Sequence, residues 1–123
     1  RQRRAFDALQ RCDNNVHVIA AVAKNFWRLK LFDKARNWFN RAASLSPKIG
    51  DLWAVWYRFE VENGDEEQQN GVMRRCVDAE PNAGDLWCSI AKRRDLRHAD
   101  IGSVLRTVAK TIPSARRKKR KGP

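Results

Sequence analysis

A chain of 123 residues with 42% apolar and 33% charged side chains can bury one modest core, not two ordinary ones, and is too apolar to remain disordered. Its formal charge of +12 belongs to the ends: three arginines lie within positions 1–4 and six basic residues within 116–121, leaving 17 basic against 14 acidic residues between them. That near balance removes total charge as an argument for nucleic-acid binding by the body, and the longest purely apolar run, Val18 to Ala23, is far shorter than the roughly 20 residues of a membrane helix.

In chain order, residues 5–12 place Phe6 and Leu9 on one face and read as the tail of a helix whose partner lies upstream. A start at "RQRR" without methionine fits a chain continued from further units. Apolar residues then recur at i, i+3, i+4 and i+7. This spacing predicts a helix over 16–30, a turn at "LFD" and a helix over 33–45. A second pair follows over 51–63 and 65–79 around "NGD", and a third over 85–96 and 99–112. The basic run "RRKKRK", Arg116, Arg117, Lys118, Lys119, Arg120 and Lys121, closes the chain as a tail over 114–123.

The tetrapeptide "GDLW" occurs twice, at Gly50–Trp53 and Gly84–Trp87, 34 residues apart, each time three residues after a proline, Pro47 and Pro81. With Ile19 one period earlier and Pro113 two residues early, the chain divides into units of about 16–47, 50–81 and 84–113 after a partial unit over 1–13. Proline marks where a helix has already stopped. Asp51 and Asp85 are read as caps of the helices they begin, with Leu and Trp entering the core. Gly64 is read as the left-handed residue that ends a helix, and Asp65 with Gln68 as a capping box for the next. Helices of about 14 residues, about 21 Å long, repeated in pairs at this period, predict an all-α solenoid of antiparallel helix pairs over residues 1–112.

The 34-residue unit resembles the tetratricopeptide repeat, with Ile19, Val22, Ala23, Phe26, Ala35, Phe39, Ala42 and Pro47 at its signature places. Unit two departs from it. Trp53, Trp56, Phe59 and Glu60, followed by a glycine turn and a closing proline, resemble the half-a-TPR (HAT) variant found in RNA-processing proteins. At finer grain, "GDLWAVWYRFEVENGDEEQQNGVMRRCVDAEPNAGDLWCSIAK" resembles the carboxy-terminal repeats of the pre-mRNA-processing factor 6 family, HAT/TPR scaffolds of the U5 snRNP and the U4/U6.U5 tri-snRNP. The likeness covers about residues 5–112, and the tail after Pro113 departs from that family's ending. The resemblance implies a nuclear, non-catalytic scaffold whose partners are other U5 and U4/U6 snRNP proteins.

The residues themselves offer no nucleophile elbow, phosphate loop or metal cluster, so no enzyme, cofactor or small-molecule substrate is expected. Cys12, Cys76 and Cys88 are three scattered thiols, read as inert and in a reducing compartment. Structural roles are assigned to Ile19, Phe26, Phe39, Ala42, Pro47, Asp51, Trp53, Glu60, Pro81, Asp85 and Trp87. For Glu60 the HAT resemblance implies an accepted hydrogen bond from an aromatic N–H or O–H. Trp56, Tyr57 and Phe59 are read first as core rings, and whichever is exposed is the best protein-binding anchor. Lys92 and Arg93 are candidate protein contacts at a helix end. Arg94, Arg97 and the six tail cations are candidates for phosphate binding or nuclear targeting, snRNA included. Gly71 and Gly102, inside second helices, are read as points of close helix approach. Two rivals to the scaffold reading stand: a direct RNA binder using the basic residues, and a tetratricopeptide adaptor clamping a peptide carboxylate. The adaptor ranks last, because unit one lacks lysine and asparagine at the clamp positions.

Overall fold

The computed structural model describes residues 15–93, 96 and 98–113, so the partial unit 1–13, the tail 114–123, Cys12, Arg94 and Arg97 lie outside the described residues. Six helices follow in order: α1 (Val16–Arg28), α2 (Phe32–Leu45), α3 (Gly50–Asn63), α4 (Glu66–Ala79), α5 (Asp85–Ala91) and α6 (Ile101–Thr111). They pair as α1/α2, α3/α4 and α5/α6 and stack as an α-solenoid, with no named strand among the described residues.

Helix α1 begins at Asn15, whose side chain accepts from the amides of His17 and Val18. It stops at Arg28, two residues before the sequence predicts. Lys30 adopts φ 64°, and Leu31 N–H reaches back to the carbonyl of Phe26 while Lys30 N–H bonds that of Trp27. This is the Schellman closure, with lysine at the position glycine usually takes. In α2 the inward stripe is Ala35, Phe39, Ala42 and Ala43, where small residues let neighbouring helices approach.

The second pair meets at "NGD". Asp65 and Gln68 form the capping box with both bonds present, at 2.8 and 3.0 Å. Gly64 is extended rather than left-handed (φ −103°, ψ 177°), which corrects the expectation. Glycine is required there for a different reason: a Cβ would run into the carboxylate of Glu60.

Helix α5 is shorter than expected, ending at Ala91 rather than near 96. Beyond Ala91 the next described residue to pack on the core is Leu96, after the charged run Lys92 to Asp95 in the sequence, so no apolar stripe rewards further helical turns. Asp100 then caps α6 by accepting from the amide of Ser103 at 2.9 Å.

One main core runs from the end of α1 to α6. Its centre is Trp27, Phe39 and Phe59, with Trp27 edge-on to both phenyl rings. Ile19, Ala20, Ala42 and Leu52 form a smaller cluster beside it. Ile19, Trp53 and Trp87, one period apart, are all buried. Helix α3 is buried on several sides because α2, α4, α5 and α6 all pack against it.

Candidate functional site

The aromatic residues of α3 divide by depth. Trp53, Trp56 and Phe59 are buried, which leaves Tyr57 as the half-buried ring of the group. Trp53 and Trp56 stack at 5.8 Å, with the Trp53 indole N–H donating to the carbonyl of Pro47 at 2.8 Å. Trp56 and Phe59 thus serve the core, as their first reading has it.

Glu60, 1% exposed, is the buried charge among the described residues. Its Oε2 accepts from Trp56 Nε1 at 3.0 Å and from Arg36 Nε at 2.8 Å, and its Oε1 accepts from Arg36 Nη2 at 3.0 Å. The bidentate pairing compensates the desolvation of the carboxylate. The hydrogen bond to Glu60 raises the Arg36 pKa above its ordinary value despite partial burial. Arg36 also lies over the Phe59 ring at 5.4 Å and reaches Gln68 of the capping box. Sequence reasoning missed Arg36: it stands 24 residues from Glu60, and no local spacing connects a cation of α2 with a carboxylate of α3.

Two interhelix loops run side by side. Ile49 and Ala83 form a parallel bridge, Gly50 N–H donates to the carbonyl of Ala83 at 2.8 Å, and the amides of Asn82 and Ala83 both donate to that of Lys48. The Lys48 ammonium in turn bonds the carbonyl of Ala79 at 2.7 Å, at the end of α4. The two "GDLW" strings therefore touch each other. Asp51 does not cap α3, its own helix; it accepts from the amides of Leu86 and Trp87, at 3.1 and 2.7 Å, and caps α5. Asp85 makes no side-chain cap, so both expected caps are corrected. Gly50 lies under the Trp87 ring, where any Cβ would overlap the indole. Gly84 takes φ 109°, with Asp51 Oδ1 only 2.6 Å from where a Cβ would stand. Leu52 is buried, whereas its counterpart Leu86 is exposed and does not enter the core as expected.

Arg75, also missed, bridges α4 and α2. Its Nη1 donates to Asn40 Oδ1 at 2.8 Å and its Nη2 to Ser44 Oγ at 3.0 Å, while the guanidinium lies over Trp53 and Trp56 at 5.3 and 5.1 Å.

Of the basic candidates, Lys92 and Arg93 are exposed just past α5. Arg94, Arg97 and Arg116 to Lys121 lie outside the described residues. Cys76 is buried, and loss of solvent pushes its thiol up to about 12, which removes it as a nucleophile; Cys88 is half-buried. No group of His, Cys, Asp and Glu among the described residues could hold a metal, and no helix among them is long and apolar enough to cross a membrane.

No protein-family model matches the chain. Individual proteins do. Pre-mRNA-processing factor 6 of Homo sapiens is 44% identical over 112 residues, 91% of this chain and 12% of that protein. Protein STABILIZED1 of Arabidopsis thaliana is 40% identical over the same share of this chain and 11% of its own length. Pre-mRNA-splicing factor prp1 of Schizosaccharomyces pombe is 39% identical over 92 residues, 75% of this chain and 10% of that protein. The chain thus spans about an eighth or less of the length of these relatives, and it is a helical-repeat region of the pre-mRNA-processing factor 6 kind.

Proposed function

We propose that the chain is a non-catalytic scaffold segment acting in pre-mRNA splicing in the nucleus. It corresponds to the carboxy-terminal repeats of a pre-mRNA-processing factor 6 homologue and bridges proteins within the U5 snRNP and the U4/U6.U5 tri-snRNP. The observation that carries this reading is the 44% identity, over 91% of the chain, to a protein named for pre-mRNA processing. Its mechanism is shape. Stacked helix pairs held by a buried ion pair and interlocked loops present fixed grooves to helices or extended peptides of other proteins. Affinity purification of the tagged chain from nuclear extract, with identification of what co-elutes, tests it. U5 and U4/U6 snRNP proteins are expected, and their absence from the eluate ends the reading.

Direct RNA binding is the second reading, and the exposure of Lys92 and Arg93 at the end of α5 favours it. It predicts RNA affinity that falls steeply with salt and survives deletion of residues 114–123.

A further inference from the structure

The two glycines inside second helices differ. At Gly102 a Cβ would stand 3.1 Å from Met73 Sδ, whereas at Gly71 it would meet nothing within 4 Å, which corrects the expectation of close helix approach there. Neither supplies a reacting group. The loop that joins the first helix pair to the second does.

Ser46 ends α2 as its C-cap, outside the helix at φ −137° and ψ 69°. It is half-buried, and its neighbours Leu45, Pro47 and Lys48 are exposed. Its hydroxyl makes no hydrogen bond among the described residues, whereas that of Ser44 accepts from Arg75 and donates to Asn40. Nowhere else in the sequence does serine or threonine precede a proline. One period later the same place holds Glu80 before Pro81. Glu80 is left-handed where Ser46 is not, yet each ends the second helix of its pair three residues before its loop gives way to "GDLW". Unit two thus carries a permanent carboxylate where unit one carries a free hydroxyl, so this corner of the repeat accepts a negative charge and still makes its turn.

We propose that Ser46 is a phosphorylation site for a proline-directed serine/threonine protein kinase, and that the phosphate draws the Lys48 ammonium away from the end of α4. Pro47 has a fixed ring and no N–H, so it suits a kinase with an apolar pocket after the reacting serine, and Lys48 adds a cation one place on. Ser46 Oγ bonds the γ-phosphorus of ATP as the bond to the departing ADP oxygen breaks, and the hydroxyl proton passes to an aspartate of the kinase. Ser44 is the poorer acceptor. It is helical, its hydroxyl is engaged, and Ala42 and Ala43 just before it are buried, so that segment does not lie open to a kinase cleft.

The product adds a charge of about −1.5 to −2 at the C-terminal end of α2, where the helix dipole repels it. The cation two residues on is Lys48, whose ammonium now bonds the carbonyl of Ala79 at 2.7 Å and that of Glu80 at 3.5 Å. Its departure strips the last carbonyls of α4 of their positive partner. The joint beside it loosens, because the amides of Asn82 and Ala83 donate to the carbonyl of the same Lys48.

The whole chain is incubated with ATP and an active cyclin-dependent kinase, and the phosphate is located by fragment mass spectrometry. It is expected on Ser46, absent in Ser46→Ala and retained in Ser44→Ala. In the phosphorylated chain the amides of Asn82 and Ala83 should exchange with deuterated solvent about threefold faster, the size expected of one cation lost from a helix end. Lys48→Ala should speed them alike without phosphate, and phosphorylation of that variant should add nothing further. Absence of phosphate from Ser46, its transfer to Ser44 instead, unchanged exchange at both amides, or an equal further speeding in Lys48→Ala overturns the proposal.

Discussion

Between the first and second helix pairs the joint is made of side chains: Trp27, Phe39 and Phe59 interlock, Arg36 of α2 clasps Glu60 of α3, and Arg75 of α4 reaches back to Asn40 and Ser44. Between the second and third pairs, where Val104, Leu105 and Val108 of α6 join the same core, backbone is added to the side-chain packing. Gly50, Asn82 and Ala83 exchange main-chain hydrogen bonds across adjoining loops, and Asp51 caps the helix of the next pair. A side-chain joint depends on chemistry buried far from its own sequence neighbours. The backbone part depends on a few positions where nothing larger than glycine fits, Gly50 and Gly84.

Substitutions aimed at each joint separate the two. The largest expected effect is Arg36→Ala, which leaves Glu60 buried without its cation and should lower unfolding free energy by about 3 kcal/mol in urea denaturation. Next is Gly50→Ala. The added methyl must displace the Trp87 ring, so a loss of about 2 kcal/mol is expected, with the environment of Trp87 altered in its fluorescence while the Arg36–Glu60 side stays intact. Asp51→Ala should cost about 1 kcal/mol through loss of the α5 cap, whereas the same change at its sequence twin Asp85 should be close to neutral; equal losses at the two would contradict the cross-unit cap. The smallest effect concerns pH. Bonds from Ser103 hold the Asp100 carboxyl below its ordinary range. Its contribution is therefore present above the unfolded value of about 4 and fades as pH falls through the lower folded value. Asp100→Asn should flatten that part of the stability profile, measured by thermal melts from neutral to acid pH.

Six helices, their pairing and the small inward stripe of α2 were legible because apolar spacing and capping residues are local signals. Asp65 with Gln68 is such a signal, and the bonds form as the pattern predicts. What was illegible depends on distant neighbours. Asp51 has the right spacing to cap its own helix, yet the amides it meets belong to α5, because the loops align alongside one another. Lys30 closes α1 in a left-handed conformation that favours glycine, so no residue marks the end. Arg36 and Arg75 were hidden among 17 cations of the body, and only the folded stack singles out the pair that lies against buried rings.

The central placement of α3 has a consequence for how the stack comes apart. Arrays of helix pairs often fray from their ends, each pair opening with little effect on those beyond its neighbour. Here four other helices use α3 as a common wall, so amides of its middle turns should exchange with deuterated solvent only when the whole array opens, while those of α1 and α5 exchange sooner. The region should melt as one piece, and a partner gripping any one groove would slow that event for all of them.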